Sequence, residues 1–361
     1  ALLTTEEYGT VDLITTLVQL FIPIVSLMID QGVFRYLLSS ENENTKKEVI
    51  SNAFFLLLGL NFVFIIIYLL LLPLITVKYK IWILLILVIT AFSNLFLQIS
   101  RGLKKTFDYA LGSFICSLIT ITLNVLCIAF IKMSAVGMLL ATFIGNVVCC
   151  IYLFFKLEIN KYLSLSSVNK KTLLNELKYS IPLIPNQLSL WVMNSSDRLI
   201  VSFILGTAAN GILAVSHKFP AIFMTFFNIF QLAWHETGTV HFFDKDRDDF
   251  FSKTIEEIML LFSTLCMCII IVLPIVFNLF VNSSYNEAYY NIPIYLIASL
   301  LNVMVGLLGV VYVATKKTFE IAKTTIIAAL INIIVNIILI KYIGLYAASI
   351  STFMGYFITM I

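Results

Sequence analysis

The sequence predicts an all-α polytopic membrane protein. Its two six-helix lobes run parallel, and the first helix of the N-lobe is missing from this chain. Three observations lead there. Apolar residues make up 60% of the 361 and charged residues 12%, with a mean hydropathy of +1.01; soluble domains hold about 45–50% and about 25%. The cations gather on alternate loops. A charged pentapeptide also recurs, KKTFD at 104–108 and KKTFE at 316–320.

A bilayer-crossing helix needs about 20 apolar residues. Eleven stretches qualify: 8–38, 48–77, 80–101, 108–131, 135–157, 172–206, 209–234, 252–281, 290–314, 319–341 and 343–361. On one side of these spans lie Arg35, Lys46, Lys47, Arg101, Lys104, Lys105, Lys156, Lys161, Lys170, Lys171, Lys178, Lys245, Arg247, Lys253, Lys316, Lys317 and Lys323. The other side holds only Lys78, Lys80, Lys132 and Lys341. Cytoplasmic loops carry the excess of Lys and Arg, so the richer side is cytoplasmic. Residue 1 then starts outside. The chain opens without Met and closes inside an apolar run, which is the expectation for a missing first helix and a trimmed end.

The repeat sets the architecture. KKTF[DE] returns after 212 residues, and at that offset Asn124 of LNVL meets Asn336 of VNII. EYGTVDL resembles ANGILAV at an offset of 202. The copies lie six spans apart, an even number, so the halves share one orientation, as in parallel transporter repeats. The expected domains are an N-lobe over 1–157, a polar cytoplasmic linker over 158–171 and a C-lobe over 172–361. DKDRDDFFSK at 244–253 reads as a solvated cytoplasmic loop.

Polar side chains on an intramembrane helix mark packing contacts or a water-filled path. In the first span Tyr8, Asp12, Thr15 or Thr16, Gln19, Pro23, Ser26 and Asp30 recur every three or four residues, so they share one face. The offset of 202 carries Thr16 onto Lys218 and Ser26 onto Asn228. The sixth and seventh spans contain Asn186, Gln187, Asn194, Asp197, Arg198, His217 and Lys218. Arg198 and Lys218 both fall roughly 12–14 Å from the outer end of their spans, at 1.5 Å per residue. Two readings stand: an ion pair with Asp197 serving structure alone, or an anion site, since an Arg fork beside a Lys suits phosphate oxygens. His217 is either a hydrogen-bonded core residue or a proton-coupling group. IPLIP at 181–185 marks a kink, for gating or for packing.

Enzyme signatures are absent: no phosphate-cradling Gly-rich loop, no HExxH and no triad. The six cysteines all sit in apolar spans, without metal or disulfide spacing. No cofactor and no metal are expected. With no nucleotide-binding domain, transport would draw on a proton or sodium gradient or on the membrane potential.

The segments EEYGTVDLITTLVQL, DQGVFRYL, YSIPLIPNQLSLWVMNSSDRLIV, ANGILAVSHKFPAIF and SSYNEAYYNIP resemble polysaccharide (O-antigen) flippases of the Wzx type. These belong to the multidrug/oligosaccharidyl-lipid/polysaccharide exporter superfamily. The resemblance runs over essentially the whole chain. It implies MATE-like lobes in a V, alternating access and a bacterial inner-membrane location. It implies an undecaprenyl-diphosphate-linked oligosaccharide as cargo, with a polymerase and other assembly proteins as partners and no nucleic acid. It also implies cationic cavity residues for the diphosphate: Arg198 and Lys218, with Arg35 at the cytoplasmic mouth. Asp12, Gln19, Asn186, Gln187, Asn194 and Asn228 would host sugar hydroxyls. A drug/cation antiporter using Asp30 or Asp197, and a lipid II flippase, are the alternatives on the same fold.

Overall fold

A computed structural model describes residues 3–38, 40, 42–75, 77–242, 244–315 and 318–361. The second KKTFE copy opens at 316 and 317, outside the described residues. Among the described residues every regular element is helical. This follows from an environment without water, where each backbone N–H and C=O must find a partner inside its own segment.

Among the described residues, eight helical stretches are long and apolar enough to cross a membrane: Thr5–Val25, Glu43–Leu74, Ile81–Gly102, Thr106–Phe130, Ser134–Lys156, Arg247–Phe280, Ser283–Tyr312 and Lys323–Ile343. A bent pair, Thr207–Ser216 with Lys218–His235, makes up to nine. The chain is a multi-pass membrane protein. The shortfall from the eleven expected spans has local causes. The expected 8–38 span keeps one crossing, α1 (Thr5–Val25), and breaks off the short α2 (Ile29–Leu38). Pro23 removes one helical hydrogen bond, and Leu27 and Met28 both take a left-handed φ of 50°. The 172–206 span divides at IPLIP into α8 (Lys170–Ser180) and α9 (Leu183–Ile204), so these prolines sit at a break and in a first helical turn. In α9, Asn186, Gln187, Asn194, Asp197 and Arg198 dilute the apolar content. The last helix, α15 (Tyr346–Met360), has only 15 residues.

The chain forms two compact units. One comprises Ile14–Leu188 and the other joins Leu3–Leu13 to Ser189–Ile361. The boundary thus falls after α8, later than residue 172, and α1 begins in one unit and ends in the other.

The Ile14–Leu188 unit contains α2, α3 (Glu43–Leu71), α4 (Ile81–Gly102), α5 (Thr106–Val125), α6 (Ser134–Lys156), the single turn α7 (Ile159–Tyr162) and α8. Ile29, Val33, Leu37, Leu57, Leu95, Ile99 and Leu153 form its core. Outward-facing Phe62, Leu70, Phe114 and Ile121 are more than half exposed, as lipid-facing side chains are. The polar segment after α6 is fastened to the first turns of α3. Ser51 Oγ donates to the Tyr162 carbonyl and accepts from Ser164 N. Asn52 Nδ2 donates to the Asn169 carbonyl at 3.2 Å, and its Oδ1 accepts from Asn169 N at 2.9 Å. Thr172 Oγ1 donates to Glu48 Oε2 at 3.0 Å.

Beneath this fastening lies Glu176, on the inner face of α8 and fully buried. Burial pushes its carboxyl up to about 8, against the lowering effect of the Asn52 amide. The sign follows from linkage. A carboxyl raised from its ordinary 4.5 holds a proton in the docked helix that the undocked helix has lost. Docking is therefore strongest below pH 4.5, weakens as pH rises toward 8 and levels off above it. Hydrogen exchange of the α8 amides, corrected for the intrinsic rate, should show protection falling between pH 5 and 8. In Glu176→Gln that protection should stay flat.

The second unit packs α9, α10 (Thr207–Ser216), α11 (Lys218–His241), α12 (Arg247–Phe280), α13 (Asn286–Ala314), α14 (Thr318–Ile343) and α15. Its core is aromatic: Phe223, Phe227, Trp234, Phe262 and Phe277, with Trp234 Nε1 donating to the Leu307 carbonyl at 3.1 Å. α10 and α11 meet at His217 with a 42° bend. The expected 209–234 span is therefore this broken pair.

Candidate functional site

The bend at His217 points its ring into the unit beside α9. There Asp197, 3% exposed, gathers three donors. Tyr295 Oη donates to its Oδ2 at 2.8 Å, and His217 Nε2 lies 3.0 Å from the same oxygen. Oδ1 accepts from the Arg198 backbone N–H at 2.9 Å. The His217 and Tyr295 rings lie 4.2 Å apart. This buried carboxylate is thus satisfied by neutral or titratable groups.

The Arg198 guanidinium goes elsewhere. Its Nη1 donates to Asp12 Oδ1 at 3.1 Å, while its Nε is buried without a partner. Asn210, fully buried, donates from Nδ2 to Asp12 Oδ2 at 3.3 Å and to the Gly9 carbonyl at 2.9 Å. The ion-pair reading of Asp197 with Arg198 or Lys218 therefore needs correction. Asp197 pairs with His217 and Tyr295, and Arg198 with Asp12, 186 residues away in sequence. Asp12 joins Asp197 beside Arg198, so two carboxylates lie against this one guanidinium residue.

The repeat explains how Asp12 gets there. α1 and α10 cross at Gly9 and Gly211, which the offset of 202 makes equivalent. A Cβ on Gly9 would stand 2.6 Å from Gly211 N and closer still to the Thr207 carbonyl. A Cβ on Gly211 would stand 3.0 Å from Gly9 N and closer still to the Thr5 carbonyl. Thr5 and Thr207 are also 202 apart. The contact is hence two-fold symmetric in sequence position, with small residues letting the backbones touch.

Arg198 and His217 line a cavity of about 390 Å³ with Asn194, Asn228, Tyr295, Ser299, Asn302, Thr352 and Tyr356. Asn194 Oδ1 accepts from Tyr356 Oη at 3.0 Å. A second cavity of about 300 Å³ shares Met193, Asn194, Asn302 and Tyr356 with the first, and adds Gln231 and His235. A hydroxyl- and amide-lined hollow with one guanidinium can hold an anion and hydrogen-bond polar groups around it.

Of the expected site residues, the structure brings Asp12, Asn194, Asp197, Arg198, His217 and Asn228 together. Lys218 is exposed at the start of α11, with its Nζ 5.9 Å from the Tyr8 ring centroid. It does not line the cavity. Gln19, Asp30, Arg35, Asn186 and Gln187 belong to the other compact unit. There Gln19, Arg35, Asn186 and Gln187 are exposed, and Asp30 Oδ2 accepts from Gln31 Nε2 at 2.7 Å. Gln19 lies on the helix face opposite the exposed Phe21 and Ile24. Tyr295, Tyr356, Asn210, Asn302 and Thr352 were not expected. Their signal was faint, because single Tyr, Asn or Thr residues in apolar helices also serve as packing glue.

The sequence profile of the polysaccharide biosynthesis protein family matches residues 1–235. The chain belongs to this family. No curated protein matches the sequence. Similar solved structures of this family member's fold include the lipid II flippase MurJ in an inward closed conformation. It is 18% identical with a TM-score of 0.67, over 99% of this chain and 85% of that one. An outward-facing multidrug resistance MATE family transporter of the MOP superfamily is 14% identical, TM-score 0.65, over 99% and 91%. The MATE transporter VcmN of Vibrio cholerae in its bent form is 14% identical, TM-score 0.54, over 98% and 84%. At these identities the likeness is one of fold.

Proposed function

We propose that this polysaccharide biosynthesis family member flips undecaprenyl-diphosphate-linked oligosaccharide across a bacterial inner membrane. The observation that carries the reading is Arg198: a guanidinium with an unpartnered Nε, set in α9 among apolar helices and lining a cavity of amides and hydroxyls. An Arg fork matches diphosphate oxygens. Asn194, Asn228 and Asn302 supply donors and acceptors for sugar hydroxyls, and the prenyl chain stays in lipid. Lys218, exposed at the start of α11, adds positive charge without a direct place in the cavity. Movement follows alternating access, driven by a proton or sodium gradient or by the membrane potential. Polymerase and other glycan-assembly proteins would receive the product.

A multidrug/cation antiporter is the second reading. It is favoured by Asp197, a buried carboxylate whose partners His217 and Tyr295 could release it to a cation. Lipid II is an alternative cargo for the first reading. Deleting the gene in its native host and re-expressing it separates these. Flippase function predicts that lipid-linked glycan accumulates on the cytoplasmic face of the deletion strain and clears on re-expression. Unchanged glycan export together with new drug sensitivity would establish the antiporter instead.

A further inference from the structure

Arg198 is already paired with a carboxylate, and a paired guanidinium has less affinity for a further anion. That carboxylate is Asp12, which also belongs to the seam between α1 and α10. Asp12 Oδ1 accepts from Arg198 at 3.1 Å, and Oδ2 accepts from Asn210 at 3.3 Å. Asn210 in turn holds the Gly9 carbonyl at 2.9 Å, at the point where Gly9 and Gly211 bring the two backbones into contact. One carboxylate therefore connects the anion-holding guanidinium to the Gly9–Gly211 helix crossing. The Asp12 and Arg198 side chains are 13% and 21% exposed, and Arg198 lines the cavity.

We propose that Asp12 is a resident competitor for Arg198, displaced by the phosphate oxygens of the cargo, and that its displacement loosens the α1–α10 seam. The inference rests on the reading of Arg198 as the anion-holding residue. In the empty protein the Asp12 carboxylate occupies the fork and keeps α1 clamped to α10 through Asn210. A diphosphate offers Arg198 more negative oxygens than one carboxylate does. Asp12 then loses its guanidinium partner, and the seam loses the tie that runs through Arg198. Cargo binding and separation of the two helices become one event. This gives the cargo differential affinity for the open seam, which any ligand-driven change requires. Asp12 is thus a positioning residue: it acts through Arg198 and the seam.

The test uses the full chain in nanodiscs, with undecaprenyl diphosphate as the probe and two readouts. The first is affinity by equilibrium titration. Asp12→Asn keeps the shape and removes the competing charge, so it should bind the probe roughly tenfold more tightly than wild type. A merely structural Asp12 would bind more weakly when mutated, never more tightly. Asp12→Ala should move the same way, which guards against a folding defect peculiar to one variant. The second readout is the distance between spin labels at Glu6 and Ala208, both exposed, in a background without native cysteines. Undecaprenyl diphosphate should lengthen it in wild type, and Asp12→Asn should lengthen it without ligand. If Arg198→Ala loses binding while Asp12→Asn binds no better than wild type, the competitor idea is overturned and the anion site stands. If Arg198→Ala binds as wild type does, the anion site fails as well.

Discussion

Arg198→Ala should reduce glycan export roughly 100-fold while the protein still inserts and folds. A charge-assisted hydrogen bond contributes about 1.5–3 kcal/mol, and a bidentate Arg–phosphate contact makes two. On this proposal Arg198 is the cation whose loss should matter most, since it lines the cavity and Lys218 does not. Lys218→Ala alone should therefore cost less than tenfold, and the double variant little more than Arg198→Ala. Surface glycan at matched expression level measures this. Normal export from the double variant would remove the anion site from the account. Arg198→Lys discriminates charge from geometry, because an ammonium keeps the charge without the planar fork. It should recover only part of the activity.

Gly9→Ala and Gly211→Ala should each reduce export by tenfold or more, and by similar amounts. Their Cβ atoms would collide with backbone N and carbonyl O of the facing helix, atoms that cannot swing aside as a side-chain end can. Overpacking typically costs about 1–3 kcal/mol, and here it falls on the crossing that closes the seam. Gly59→Ala is the control. It lies in α3, where an added Cβ meets nothing within 4 Å. The substitution should be neutral or slightly stabilising, since Ala is the better helix former. Equal loss at Gly9 and Gly211 is a further consequence of the repeat. If only one of them is sensitive, the crossing does not work symmetrically.

Much of the fold was legible because membranes leave few choices. Apolar runs of about 20 residues and the placement of lysines on alternate loops located most helices. The KKTF[DE] and EYG/ANG repeats implied equivalent helices, and the contact of Gly9 with Gly211 gives that equivalence a physical form. The helix breaks were less legible. Leu27 and Met28 adopt a left-handed conformation that glycine would have advertised, and the α10–α11 bend at His217 carries no proline until Pro220. α8 was absorbed into a longer span because its apolar residues run on into IPLIP.

In the site, Asp197, Arg198 and His217 were visible as ionisable residues in apolar helices, where each demands a partner. Their pairing was not visible. Asp12 meets Arg198 across most of the chain, and no periodicity reports such a contact. Tyr295 is one of four tyrosines in α13, and nothing in its spacing sets it apart. Only the fold shows that its hydroxyl ends on Asp197. Asp12 was read as a residue of the polar stripe on the first span and not as the partner of Arg198.

The central claim is that this chain moves a lipid-linked diphosphate and holds it at Arg198. Proteoliposomes containing the purified protein and undecaprenyl-diphosphate-linked oligosaccharide from its host test it most directly. A membrane-impermeant, glycan-modifying enzyme added outside reports the fraction of glycan on the outer face. Wild-type protein should bring the inner-face pool within reach of that enzyme, and Arg198→Ala protein should leave it protected. A pool that stays protected with active wild-type protein, or becomes accessible equally with Arg198→Ala, would contradict the account.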